Sequence, residues 1–207
     1  MAETDPDAQH MLDFAAGDGA AFDALFQKWA GPLLRYLERM VRNAATAEEL
    51  VQETFLRVHR ARDRYEPSAR FSTWLYRIAT NLALNELRRP SSSRPHASTD
   101  DEEGAPIQLE AGGPAVDDAV HARRMSAQLE AELEKLPERQ RTALWLAAGE
   151  GLSYAEIAEV LETSEKSVKA LVHRGRTAVV ARLKPVRSDT KGGKAEKADR
   201  NRTRGAR

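Results

Sequence analysis

Residues 153–183 read SYAEIAEVLETSEKSVKALVHRGRTAVVARL, and the spacing of this stretch decides what kind of fold the chain adopts. Ser153 and Glu156 form the S-x-x-E pattern of a capping box, in which hydroxyl and carboxylate satisfy each other's free backbone donors and fix where a helix begins. Gly149 and Gly151 stand just before it and suit the end of a preceding helix. Ile157, Ala158 and Leu161 share one face of the short helix, and Glu162-Thr163-Ser164 supplies a turn whose Ser164 is placed to cap the next one. In that second helix Val168, Leu171, Val172 and Val179 face inward. A short helix, a three-residue turn and a longer helix make the plan of a helix-turn-helix.

The outward face of the longer helix carries Glu165, Lys166, Ser167, Lys169, Ala170, His173, Arg174 and Arg176. In a helix-turn-helix the N-terminal part of the second helix enters the major groove, where a good bidentate side-chain contact is worth roughly 1–3 kcal/mol of base discrimination. Lys166, Ser167, Lys169 and Ala170 are therefore expected to read bases, and His173, Arg174 and Arg176 to hold phosphates and set register.

Upstream, the pattern stays helical. Phe22, Leu25, Phe26, Trp29, Leu33, Leu34, Leu37 and Val41 form one stripe over residues 20–41, with Pro32 a position for a kink. A second helix is expected from Ala47 to about Arg60, with Thr46 as N-cap and Val51, Phe55 and Val58 inside. A third is expected from Ser72 to about Arg89, ending at Pro90. No strand-like alternation persists, so the expected fold is all-α: two small helical domains joined by a flexible linker.

Residues 90–120 are rich in Pro, Gly, Ser and acid and read as that linker, because structureless stretches beyond roughly 15 residues are uncommon inside compact domains. Residues 1–89 and 121–186 then form the two domains, and 187–207 a disordered basic tail. The overall formal charge of zero conceals this division. Residues 1–20 hold no basic and 5 acidic residues and residues 91–120 hold 1 and 7, whereas 21–90 hold 12 and 8, 121–186 hold 11 and 9, and 187–207 hold 8 and 3. Both domains are net positive, and screening makes the local balance the one that bears on phosphate contact.

The composition also excludes functions. The chain has no cysteine, so disulfide scaffolds and cysteine-ligated zinc are out, and a reducing cytoplasm is the expected compartment. No stretch approaches the 18 apolar residues of a membrane span, so no membrane insertion is expected. Five histidines show no ligand spacing, and no Gly-rich phosphate loop precedes a lysine. No metal, cofactor or catalytic residue is expected, and the chain is not read as an enzyme.

Residues 47–89, AEELVQETFLRVHRARDRYEPSARFSTWLYRIATNLALNELRR, interleave aromatic and basic side chains on helices. Glu49, Gln52, Glu53 and Thr54 are expected to project away from Val51 and Phe55 as an acidic, hydrogen-bonding strip. Trp74, Leu75, Ile78 and Leu82 share a face, while Tyr76, Arg77 and Asn81 are expected off it, with Arg88 and Arg89 extending a basic side. Opening a duplex costs about 1.4 kcal/mol per base-pair step, and stacking bases on aromatics returns roughly 1–3 kcal/mol each, so such a segment suits capture of single-stranded DNA.

Taken together, AEELVQETFLRVHRA, RFSTWLYRIATNLALNELRR, LPERQRTALWL and the helix-turn-helix resemble the extracytoplasmic-function (group IV) RNA polymerase sigma factors of the sigma-70 family. The resemblance implies that residues 1–89 correspond to sigma region 2 and residues 121–186 to region 4. By it, Glu49, Gln52, Glu53 and Thr54 would dock on the clamp helices of the largest subunit of core RNA polymerase. Ser68, Phe71, Tyr76, Arg77, Asn81, Arg88 and Arg89 would melt and read the promoter −10 element, Ser68 and Phe71 at the loop that receives a flipped base. The face from Lys166 to Arg176 would read the −35 element. Core polymerase, promoter DNA and an anti-sigma factor are the implied partners, and promoter-specific initiation the implied function. The helix-turn-helix alone also resembles the output domain of LuxR-type regulators, which leaves a regulator that binds duplex DNA without polymerase as the alternative.

Overall fold

The computed structural model describes residues 5–89 and 128–183, and among them every regular element is helical. Four helices form the first half: α1 (Pro6–Ala15), α2 (Gly19–Val41), α3 (Ala44–Ala61) and α4 (Phe71–Arg88), with a short 3-10 turn at Arg62–Arg64 between the last two. The second half contains α5 (residues 128–134), α6 (Glu138–Ala148), α7 (Tyr154–Val160) and α8 (Glu165–Leu183). The expected linker 90–120 and tail 187–207 lie outside the described residues.

Short polar side chains set the helix starts. Asp18 accepts from the Ala20 amide at 2.9 Å to open α2, and Asn43 accepts from the Thr46 amide at 2.8 Å to open α3. The cap of α3 is therefore Asn43 and not Thr46 as the sequence suggested, and the helix starts three residues earlier. Arg42 makes this abrupt entry possible by taking a left-handed φ of 59° at the end of α2, so that the chain reverses in two residues.

Helix α1 was not anticipated, and long-range contacts account for it. Met11 and Phe14 are buried, Phe14 lying 4.8 Å from the Phe22 ring and 5.2 Å from His59. Asp7 is buried too, with its carboxylate accepting from Lys28 at 2.7 Å and from the Trp29 indole at 3.1 Å. A buried carboxylate is tolerable only with such partners. Asp5 caps α1 through the Asp7 amide at 3.1 Å, and its other oxygen accepts the Phe71 amide at 2.7 Å. The first turn of α4, whose own N-cap Arg70 supplies no side-chain bond, is thereby closed from 66 residues away.

The core of the first half is aromatic. Tyr36 and Tyr76 cross edge to face at 5.2 Å, Trp29 meets Tyr76 at 6.1 Å, and the Tyr36 hydroxyl shares a 2.7 Å hydrogen bond with Thr80. Edge-to-face pairs add about 0.5–1.5 kcal/mol beyond area burial. Burial pushes the Tyr36 phenol upward, so it stays a neutral hydrogen-bonding group.

In the second half α6 and α8 approach closely at Gly175, where an added Cβ would stand 2.6 Å from Leu144 Cδ1 and 3.1 Å from Cγ. Arg139 of α6 donates to the Leu161 carbonyl at 2.8 Å, tying α6 to the end of α7. The two halves also pack on one another: Thr142 donates to Met40 Sδ at 3.4 Å, Arg39 lies 4.8 Å over the Trp145 ring, and Arg42 pairs with Glu134. Replacing Gly175 with Val forces branched bulk into the α6–α8 contact. Overpacking of this kind costs about 1–3 kcal/mol, so urea unfolding of the variant should show a loss in that range with an unchanged slope.

Candidate nucleic-acid interface

Helix α8 is held by its apolar face. Val168, Val172, Gly175 and Val179 are buried, which leaves Lys166, Ser167, Lys169, His173, Arg174 and Arg176 exposed and Ala170 half-buried beside them. The predicted base-reading and phosphate-holding residues therefore share one solvent-facing side. With Tyr154 of α7, Lys166, Lys169, His173 and Arg176 line an open groove along it. The capping box is complete: Glu156 accepts from the Ser153 amide at 2.8 Å, and the Ser153 hydroxyl accepts from the Glu156 amide at 3.3 Å. Ser164 accepts from the Ser167 amide at 3.2 Å at the start of α8. Glu162, at φ 49°, makes the left-handed step of the turn between them.

The predicted α4 residues divide. Arg77, Arg88 and Arg89 are exposed and Asn81 half-buried, while Ser68 is exposed on the loop before the helix. Ser68 and Arg77 line a small cavity with Tyr65, Thr73, Trp74 and, from α7, Glu159. Phe71 and Tyr76 are elsewhere: Phe71 is fully buried against Trp29 and Trp74, and Tyr76 is 1% exposed. The expectation that Tyr76 lies off the apolar face is corrected. Its ring belongs to the core, and only the hydroxyl reaches outward, where it donates to Glu150 of the α6–α7 turn. Desolvation, reinforced by that carboxylate, drives its phenol upward. Tyr65, beside the cavity, is pushed up to about 12 by burial and by Asp5 and Asp7.

On α3, Glu49 and Gln52 are exposed and Glu53 is partly so, its carboxylate paired with Arg57 at 2.8 Å. Thr54 is corrected in the same sense. It is fully buried, and its hydroxyl donates to the Leu50 carbonyl at 2.7 Å, satisfying it inside the helix instead of presenting it to a partner. Sequence reading missed two neighbours. Leu56, 49% exposed, follows Gln52 and Glu53 at helical spacing, and Phe26, 42% exposed, packs on Phe55 at 4.8 Å. The signal available was a large apolar residue at position 56, out of phase with the stripe of Val51, Phe55 and Val58.

Two family matches coincide with these two halves: Sigma-70 region 2 matches residues 25–92 and Sigma-70 region 4 matches residues 126–179. The ECF RNA polymerase sigma factor SigW of Bacillus subtilis is 34% identical over 174 residues, covering 81% of this chain and 91% of the relative. The chain is an ECF sigma factor of the sigma-70 family. SigE of Mycolicibacterium smegmatis is 38% identical over 165 residues, which cover 78% of this chain and 62% of that longer relative. Among solved structures, the sigma factor RpoE in complex with the anti-sigma factor NepR from Bartonella quintana aligns with a TM-score of 0.58 at 21% identity. That alignment covers 79% of this chain and 98% of RpoE, and it shows the shared fold. Among the described residues of this sigma factor no helix is long and apolar enough to cross a membrane.

Glu156 is the most heavily bonded carboxylate of the region. Burial works against its charge, but the Ser153 hydroxyl and amide, Arg70 and Thr73 outweigh it and hold the carboxyl below its usual 4.5. A carboxyl lowered by folding contributes stability that is present above its unfolded value and lost as pH falls through the folded one. The stability difference between the native chain and Glu156→Gln should therefore be largest at neutral pH and shrink from about pH 4.5 downward, as read by thermal unfolding across an acid series.

Proposed function

We propose that this sigma factor binds core RNA polymerase through the outer face of α3, reads the −35 element with α8 and engages the melted −10 element with the exposed side of α4 and the loop before it. One observation carries the reading. A helix-turn-helix with a wholly solvent-facing basic side shares the chain with a second unit that matches sigma region 2 over residues 25–92. A regulator that binds duplex DNA without polymerase has no use for that second unit, and the alternative is not favoured.

The core-binding patch combines Glu49, Gln52 and Glu53 with the apolar pair Phe26 and Leu56. Interfaces of this kind place an apolar centre within a polar rim, and these residues supply both. The patch suits a basic helical surface, the clamp helices of the largest polymerase subunit. For the −10 strand, Arg77, Arg88 and Arg89 track the backbone while Ser68, Trp74 and Asn81 border the cavity side of α4 or stand beside it. Stacking and charge together offset the cost of opening the duplex. Phe71 and Tyr76 act from beneath by holding α4 in place. On α8, Lys166, Ser167, Lys169 and Ala170 read bases, and His173, Arg174 and Arg176 position the helix.

The chain acts as a dissociable subunit in the cytoplasm and contributes no catalytic group of its own. An anti-sigma factor holds it inactive between signals, as suggested by the fold it shares with RpoE, which was solved with NepR. Reconstitution tests the reading: the protein is mixed with bacterial core polymerase and promoter-length genomic fragments, and transcript 5′ ends are sequenced. Discrete starts that depend on the protein and share two upstream motifs support it. Binding to duplex DNA with no association with core would reverse it.

Within that assay the residues separate. Gln52→Ala and Leu56→Ala should weaken core binding, each by about 1 kcal/mol or more if they lie at the centre of the patch. Asn81→Ala and Arg77→Ala should leave core binding intact and slow open-complex formation, measured by permanganate reactivity of unpaired thymines. Lys169→Ala should lower −35 affinity alone, by roughly 1–3 kcal/mol if its contact is bidentate or multiple.

A further inference from the structure

Two acids at the start of α1 converge on the start of α4. Asp5 serves two helices at once: Oδ1 accepts the Asp7 amide at 3.1 Å and caps α1, and Oδ2 accepts the Phe71 amide at 2.7 Å. Both contacts put its negative charge at the amino-terminal end of a helix, where the backbone dipoles favour it. Asp7 accepts from the Trp29 indole at 3.1 Å, and the Trp29 ring lies 6.5 Å from Phe71 and 6.1 Å from Tyr76. The Phe71 amide is thus held by Asp5, and its ring packs on a tryptophan that Asp7 holds.

We infer that Asp5 is a positioning residue for capture of the −10 strand: by closing the first turn of α4 from α1, it fixes the loop of residues 65–70 and the side chains that follow it. This rests on the sigma-factor reading given above, in which that loop and the exposed side of α4 take the strand. The first turn draws on an outside partner because Arg70, at its N-cap, makes no side-chain bond, and helix starts leave their first amides without intrahelical acceptors. What this turn carries is the strand site itself. Ser68 stands just before Phe71 and Thr73 and Trp74 just after it, and all three line one small cavity with Tyr65 and Arg77. The Tyr65 ring lies 5.0 Å from Trp74 and 6.4 Å from Phe71, so the loop rests on this turn through its aromatic side chain.

The bridge needs a carboxylate. An ionised Asp offers two acceptor oxygens and no donor, whereas Asn offers one acceptor oxygen and an NH2 group. With the Asn oxygen on the Asp7 amide, its NH2 group faces the Phe71 amide, donor against donor. Ser has one hydroxyl oxygen for both sites. Asn and Ser are nevertheless good N-caps, so either keeps the start of α1 while removing the bond to α4. A first turn left open frays, and a strand that must order it on arrival binds more weakly and opens the duplex more slowly.

The test uses the full chain with core polymerase on a promoter located by 5′-end mapping. Asp5→Asn and Asp5→Ser should each slow open-complex formation, read by permanganate reactivity, about tenfold, the factor that loss of an ordinary charge-assisted hydrogen bond carries. Core affinity, and binding of a duplex that holds the −35 element alone, should stay at the native level, because those readouts use α3 and α8.

A change at Arg70 separates the bridge from any other role of Asp5. Arg70→Ser gives α4 a side-chain cap of its own, at a position whose φ of −61° and ψ of 142° already suit one. Relative to Arg70→Ser alone, adding Asp5→Ser should slow opening by about threefold at most, because the first turn no longer depends on α1. Equal slowing by Asp5→Ser with and without Arg70→Ser overturns the proposal. Opening at the native rate in both Asp5 variants also overturns it, as does a loss of core affinity that matches the loss of opening. In each of these cases transcription by the native chain leaves the sigma-factor reading standing. A native chain that yields no transcript with core removes that reading, and the assignment of Asp5 with it.

Discussion

Everything in this molecule depends on where α4 is held. Its Tyr76 ring is clamped edge-on between Trp29 and Tyr36, and Thr80 one turn on returns a hydrogen bond to the Tyr36 hydroxyl. These contacts set the rotation of α4 about its own axis. Once that rotation is set, Arg77, Arg88 and Arg89 point to solvent, Ser68 and Trp74 border one cavity, and the Tyr76 hydroxyl emerges where α7 packs. A rotation of one residue, about 100° in a helix with 3.6 residues per turn, would bury the arginines and expose the aromatics. The aromatic clamp and the basic outer side are two faces of the same constraint.

The helix-turn-helix was legible in the sequence because its determinants are local. A capping box spans four residues, and the turn, residues 161–164, spans four more. The apolar face of α8 is written at spacings a reader can count. The charge division was equally legible, since it needs only addition by segment. What could not be read is what depends on distant partners. Helix α1 offers Met11 and Phe14 as large buried apolar residues, and its place is secured by Asp7 meeting Lys28 and Trp29 and by Asp5 meeting Phe71. Nothing within ten residues announces those bonds.

Tyr76 and Thr54 mislead for a shared reason. Each has a polar tip on a side chain that fits a core, and a polar tip read at face value suggests an outward position. Tyr76 resolves the conflict by burying its ring and extending its hydroxyl to Glu150, and Thr54 by bonding back to Leu50 within its own helix. Leu56 and Phe26 err in the other direction: their apolar character suggests the interior, yet each leaves nearly half of its surface in solvent. Sequence periodicity assigns faces well for residues that are wholly polar or wholly apolar, and amphipathic side chains are decided by neighbours from other helices.

The bond between Asp5 and the Phe71 amide has a mechanical side. It joins the start of the described chain to the start of α4, while Asp7 two residues on grips α2 through Lys28. A pull applied at the amino end therefore reaches α4 directly, without first unravelling α2 or α3. The amino end is thus a lever arm on the helix proposed to capture the strand, and whatever loads or anchors that end shares in setting how firmly α4 is seated.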